Sequence, residues 1–362
     1  MLSAPWIQAR SASSWLIGQS APQTGIVAPT NAETTAGARL YFNRLNAHGG
    51  VHGRSIELLS LDDGQDPKRT LANTQTLLDQ GVLALGLYRT TPSVEAAMPL
   101  VRKSGIAFIG NQVGPSFLYD PANPTVFNTR ASFHEEVARA VKFFVSLGQT
   151  RVAALVASDT FGQDVLVGLR SAMANAKTEL VAQASVDNRG ADVSAQLEQI
   201  RQTKPQVVLL ICNAKAAAEF IKGARAVAFS PTFVSLSNTS SSAYVTDLGK
   251  AAEGVVVTQV VPTPFSNKLR AVAEFRDAVS QAGAGAPAIS HASLMGYLSA
   301  KFMHEAIRRA GPNVDRVRLV DAISNTGRFD LGDFSLNYEQ DSRQGSRLTE
   351  LTVIGHDGRF MY

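Results

Sequence analysis

Short apolar runs alternate with longer segments of helical spacing along almost the whole chain, and that rhythm leaves few folds open. "SWLIGQSAP" (14–22) has the pattern of a strand, and "TTAGARLYFNRLNAHGG" (34–50) sets Ala38, Leu40, Tyr41, Leu45 and Ala47 near helical spacing before a Gly-Gly stop. "RSIELLSLDD" (54–63) is the next strand. Asp66 then Pro67 opens a helix: a capping carboxylate precedes a residue whose missing N–H costs nothing in the first turn. That helix runs to Gly81, a good stop. Strand "VLALGL" (82–87) leads to a helix capped by Thr91, with Pro92 at its first position, and strand "IAFIG" (106–110) ends in "NQVG". Ser132 and Glu135 have the spacing of a capping box at the head of a helix reaching Leu147.

A second series follows. The strands "RVAALVAS" (151–158), "ELVAQASV" (179–186), "QVVLLIC" (206–212) and "PTFVSLS" (231–237) are spaced by helical patterns, and strand "EGVVVTQVV" (253–261) completes the series. Strands alternating with helices pack as parallel sheets covered on both faces. The fold class is therefore α/β, with two doubly wound parallel-sheet lobes, since 362 residues exceed the roughly 250–300 that one core usually holds. Two helical patterns after Pro262 (267–282 and 290–310) are surplus to the second lobe, so the chain is expected to return to the first. The segments read as 15–129 (lobe 1), 130–261 (lobe 2), 262–330 (lobe 1 again) and 331–362 (antiparallel, lobe 2).

The sequence offers no catalytic set. It has no GxxxxGK[ST], GxSxG or HExxH, and the Gly49-Gly50 and Gly53 run follows a helix, not a strand, which rules out a dinucleotide fingerprint. Six scattered histidines and the strand-end pair Asp62-Asp63 give no metal or triad spacing, so no catalytic residue, metal or cofactor is assigned. The charge balance of 34 Lys and Arg against 30 Asp and Glu is dispersed, with no run of five like charges, which argues against nucleic acid as a partner. The one cysteine, Cys212, sits in an apolar strand and can form no intrachain disulfide.

What the chain does carry is polar loops at strand C-termini: "QSAP" (19–22), "YRTT" (88–91), "NQVG" (111–114), "SDTFG" (158–162), "CNAK" (212–215) and "SLSN" (235–238). Ligands of open α/β sheets sit outside the carboxyl ends of the strands, where helix N-termini offer free N–H groups to anions. A binding cleft between two lobes follows.

Gly37, "NAHGGVHGR" (46–54), "DDGQDP" (62–67), "SDTFGQDVLVGL" (158–169), "AAEFIKGAR" (217–225), "EGVVVTQVVPTPF" (253–265) and "TVIGHDGRF" (352–360) resemble the branched-chain amino-acid-binding proteins of ABC transporters. The resemblance spans the chain from Trp15 onward and implies a type I periplasmic binding fold, two lobes joined by a three-segment hinge. It sets the crossings near 128–131, 260–262 and 328–345. It implies a monomeric periplasmic protein that closes on a small-molecule ligand, an amino acid or other carboxylate, and hands it to an inner-membrane ABC permease. A cytoplasmic ligand-sensing regulator on the same fold is the alternative. The small-residue-rich stretch Met1–Ser14 resembles the end of a secretory leader.

By the same resemblance the ligand-binding positions fall on Ser20, Tyr88, Arg89, Thr90, Thr91, Asn111, Gln112, Val113, Phe161, Asn213, Ser237 and Asn238. The family's hydroxyl for a ligand carboxylate maps to Thr90, with Thr91 beside it. Its second-lobe aromatic before a Gly maps to Phe161. Two departures strike the end that would take an ammonium: no aromatic stands at 213–214, and Ser237 occupies the acidic position, although Asp159 or Asp187 could substitute. Arg89 is an added departure. A buried ammonium without a carboxylate is costly, whereas Arg grips a carboxylate with two bonds. The expected ligand is a carboxylate without an α-amino group; the competing reading puts Arg89 in solvent against an acid.

Overall fold

The computed structural model describes residues 14–190, 192–339 and 342–362; the leader reading, Met1–Ser14, lies outside them except for Ser14. The first lobe opens with β1 (Trp15–Ala21), α1 (Ala28–Ala47), β2 (Ile56–Asp62), α2 (Pro67–Asp79), β3 (Ala84–Gly86), α3 (Thr91–Ser104), β4 (Ala107–Ile109) and β5 (Val126–Phe127). The second comprises α4 (Phe133–Ser146), β6 (Val152–Ala157), α5 (Thr160–Asn175), β7 (Leu180–Val186), α6 (Ser194–Gln202), β8 (Val207–Ile211), α7 (Ala214–Ala226), β9 (Thr232–Ser235), α8 (Ser242–Leu248) and β10 (Val256–Gln259). Then come α9 (Arg270–Ala282), α10 (His291–Ala310), α11 (Arg316–Thr326), β11 (Arg328–Asp330), β12 (Ser335–Asn337), β13 (Glu350–Ile354) and β14 (Phe360–Met361).

The two sheets share one plan. Lobe 1 is a parallel sheet of order β2-β1-β3-β4-β5, and lobe 2 contains the corresponding order β7-β6-β8-β9-β10, extended by the antiparallel β13 and β14. Strand C-termini of both sheets therefore end at the space between the lobes.

Local signals set the helix starts. The Asp66 side chain accepts from Lys68 N at 2.9 Å, and Ser132 and Glu135 form the capping box. Several helix starts differ from the sequence reading: α9 begins at Arg270 rather than at 267, and the short α8 was not foreseen. α1 begins at Ala28 rather than Thr34, because Pro29 suits a first turn that needs no N–H. The cap of α3 is Thr90, one residue earlier than expected, leaving Thr91 inside the helix. α11 was not foreseen: only Leu319 and Ile323 of its residues are buried, too few to make a readable stripe.

The helices α9 and α10 pack against first-lobe elements. α10 packs along α1 at two glycines: a Cβ on Gly37 would lie 1.9 Å from Ser293 O, and one on Gly296 would lie 1.8 Å from Thr34 O. Phe275, Leu298 and Phe302 from the returning helices share a core with Ile17, Phe42 and Ile109. On the opposite faces of the sheets a second core runs unbroken from Leu85, Val94 and Phe108 of lobe 1 to Phe133, Val165 and Leu209 of lobe 2.

The crossings are tied together at Asn128. Its N–H donates to Arg343 O at 3.1 Å, while its carbonyl accepts from Gly345 N at 2.8 Å and from the Tyr338 hydroxyl at 3.0 Å. A second seam joins the lobes at the head of α1. The Glu33 carboxylate accepts from Ser242 N and Ala243 N, both at 3.0 Å, and from Ser290 Oγ at 2.6 Å, and Thr30 Oγ1 lies 3.1 Å from Ser241 Oγ.

Candidate functional site: the interlobe cleft

A cleft enclosing about 390 Å³ between atoms, mouth included, lies where the strand ends of the two lobes face each other. Lobe 1 lines it with Val27, Gln65, Arg89, Thr90, Thr91, Pro92 and Val113; lobe 2 contributes Phe133, Asp159, Phe161, Asn188, Asn213 and Asn238.

The loop from β3 to α3 builds the polar wall. Leu87 and Thr90 take positive φ values of 58° and 67°, a conformation costly for any L side chain and most so for Thr90, which is branched at Cβ. Thr90 Oγ1 caps Ser93 N at 3.4 Å. Thr91 is among the residues lining the cleft, and its buried Oγ1 has no hydrogen-bond partner among the described residues.

Arg89 is the main electrostatic feature. It is 4% exposed. Nη1 donates to Gln112 Oε1 at 3.1 Å, and Nη2 reaches across the cleft to the carbonyl of Asn238 at 2.8 Å. These bonds occupy two of the five guanidinium N–H groups, and Arg89 makes no ion pair among the described residues. Burial first, then the charge of Arg130, push it down to about 10, so it stays cationic at neutral pH. An unpaired buried guanidinium is expensive unless an anion arrives to pair with it.

Gln112 sets the aim of Arg89. Its Nε2 donates to Asn31 Oδ1 at 2.7 Å and Leu87 O at 2.8 Å, which turns Oε1 toward the guanidinium. The apolar wall is aromatic: Phe133 and Phe161 meet edge to face with ring centroids 5.0 Å apart, and the Arg130 guanidinium lies 4.6 Å from the Phe133 centroid.

Of the sequence-derived positions, Arg89, Thr90, Thr91, Val113, Phe161, Asn213 and Asn238 line the cleft. Gln112 stands behind Arg89. Asn111 Oδ1 accepts from Tyr88 N at 3.1 Å and so braces the loop from below. The Tyr88 ring lies in the core against Phe108, with its hydroxyl 3.1 Å from Thr74 Oγ1. Ser20 Oγ donates to Asp63 Oδ2 at 3.1 Å, away from the cleft lining. Asn213 uses its Oδ1 to cap α7, accepting from Ala216 N at 2.9 Å.

Ser237, at the position of the family's acid, is committed elsewhere. Its N–H and hydroxyl donate to Glu136 at 2.9 and 2.8 Å, and Arg130 Nη2 donates to its Oγ at 2.9 Å. Arg130 and Glu136 form an ion pair with both side chains fully buried, and Thr258 Oγ1 also donates to Glu136. Sequence reasoning did not find Arg130, Glu136, Phe133, Asn188 or Glu33. Only the capping-box phrase around Ser132 pointed at this region.

Two α/β lobes of the same strand order, closed on a cleft with a cationic, hydroxyl-bearing wall, define a small-solute-binding protein. The chain belongs to the periplasmic binding protein family, whose sequence model matches residues 14–358. It resembles the substrate-binding periplasmic protein of Ralstonia solanacearum at 28% identity, over 96% of this chain and 99% of that one, with a TM-score of 0.91. A possible leucine/isoleucine/valine-binding protein of Rhodopirellula baltica SH 1 is 26% identical, over 98% of both chains, with a TM-score of 0.92. Leu/Ile/Val-binding protein homolog 2 of Brucella abortus is 23% identical over 96% of this chain and 92% of its own length. The fold is the type I periplasmic binding fold. Among the described residues no helix is long and apolar enough to cross a membrane, and no cluster of His, Cys, Asp and Glu could hold a metal ion.

Proposed function

We propose that the protein is the solute-binding component of an ABC importer, capturing a small carboxylate without an α-amino group and delivering it from the periplasm, as a monomer, to an inner-membrane permease. The observation that carries this reading is the buried Arg89 in the cleft lining, cationic and in no ion pair among the described residues, with Glu33 the one acid whose charge favours it. A ligand carboxylate would take its remaining N–H groups together with the Thr91 hydroxyl. The Phe133–Phe161 wall suits an aliphatic or aromatic remainder. Relatives named for leucine, isoleucine and valine support the transport role. Against an amino acid stands Ser237, whose groups serve Glu136 and Arg130.

Thermal-shift screening with simple carboxylates and with leucine and valine tests the reading. A carboxylate at 100 times its Kd adds about 2.7 kcal/mol to stability, a readable rise in Tm. In Arg89→Met the affinity should fall about 10- to 150-fold, as expected for hydrogen bonds to a charged group. Strong shifts with leucine or valine and none with simple acids would overturn the absence of an amino group.

A further inference from the structure

Resting on the carboxylate reading of the cleft, a second feature narrows the ligand. Asn238 donates from Nδ2 to Cys212 O at 3.0 Å, which fixes the sense of its amide. Its Oδ1 is then a buried acceptor with no partner among the described residues, on a residue that lines the cleft. The main-chain carbonyl of the same residue holds Arg89 Nη2 at 2.8 Å, which sets Asn238 beside the carboxylate end of the cleft.

A carboxylate offers only acceptors. It can satisfy Arg89 and take the Thr91 O–H, but it cannot satisfy an amide oxygen. Leaving that oxygen buried and unpaired is penalised in every complex whose ligand lacks a donor there. An ammonium could donate, but Arg89 and Arg130 both reach this end, each bonded to Gln112. The nearby Glu136 carboxylate is fully engaged by Arg130, Ser237 and Thr258. Asp159, the acid lining the cleft, accepts from Gly162 N and Asn188 Nδ2. A neutral donor needs no counter-charge. We infer that the ligand is a hydroxylated carboxylate, with its hydroxyl close to the carboxylate and donating to Asn238 Oδ1.

Matched acids test this by isothermal titration: 4-methylpentanoate, 2-hydroxy-4-methylpentanoate and leucine, and the corresponding 3-phenylpropanoate, 2-hydroxy-3-phenylpropanoate and phenylalanine. In at least one series the hydroxy acid should bind ten or more times tighter than both its deoxy and its amino counterpart. In Asn238→Ala, whose main-chain carbonyl is kept, that ratio should fall to near one whatever the absolute affinities. Deoxy acids binding as tightly as hydroxy acids, or amino acids binding tightest, would overturn the hydroxyl assignment. The first of those outcomes leaves the carboxylate reading standing. Failure of all six acids overturns both.

Discussion

Glu33 in one lobe accepts hydrogen bonds from the main-chain N–H groups of Ser242 and its neighbour Ala243 in the other, both at 3.0 Å. The bonds exist only while the lobes are together, and Glu33 is not among the residues lining the cleft. Glu33 therefore biases the open–closed equilibrium without touching a ligand. Glu33→Ala should weaken ligand binding by about tenfold, the equivalent of one or two net hydrogen bonds. Small-angle scattering should show a larger radius of gyration for the unliganded variant. Unchanged affinity and scattering would remove Glu33 from the closing mechanism.

The buried Arg130–Glu136 pair makes a different prediction. Glu136→Gln leaves the guanidinium inside the protein without its counter-charge, which should cost about 3–5 kcal/mol of stability. Urea unfolding would show this as a lower midpoint with an unchanged slope. Replacing both residues with apolar side chains of similar volume should recover much of the loss, because the double change removes the unpaired charge.

Thr91 should separate stability from binding. Its Oγ1 is buried without a partner, so Thr91→Val removes an unsatisfied group with little change of shape. The unliganded variant should be as stable as the parent or up to about 1–2 kcal/mol more stable. Its affinity for the acid that binds the parent should nevertheless fall, because the carboxylate loses an O–H donor. A drop in both quantities would mean that the hydroxyl serves the fold.

His134 and Asp164 tie α4 to α5, with Nε2 and Oδ2 3.5 Å apart. The hydrogen bond that His134 donates to the Asp164 carboxylate is the main cause that raises the His134 pKa above its ordinary 6.5, against the opposing effect of burial. The protonated form is thus favoured in the folded protein. Its contribution is complete below the unfolded value near 6.5 and is lost as pH rises through the raised folded value. Denaturation of the parent and of His134→Asn across pH 5 to 9 should show a stability difference that shrinks toward the alkaline end. Imidazole titration by NMR should place the midpoint above 6.5.

What the sequence disclosed depends on how far apart the partners lie. Asp66 before Pro67, and Ser132 three residues before Glu135, are local phrases whose geometry is set within one turn, and both form as read. The βα rhythm likewise dictates parallel sheets, and with them a cleft at the strand ends. The readout of Ser237 could not be foreseen, since the Glu136 that occupies its hydroxyl is 101 residues away and nothing near Ser237 announces it. Arg89 was visible as a residue, but its burial depends on Asn238, 149 positions further on. Sequence spacing marks where a loop ends; which of its groups are already spent is settled only by the opposite lobe.

The glycine contacts between α1 and α10 also bear on the order of events during synthesis. Residues 15–127 contain every strand of the first sheet, yet the helix that must seat on Gly37 carries its own contact residue at Gly296. A nascent chain can complete the hydrogen bonding of that sheet while one of its faces still waits for a cover made some 170 residues later. The segment in between, from α4 to β10, can form its five parallel strands first. Covering of the first lobe is thereby scheduled behind the five parallel strands of the second, and until α10 emerges its exposed apolar face is a natural target for a holding chaperone.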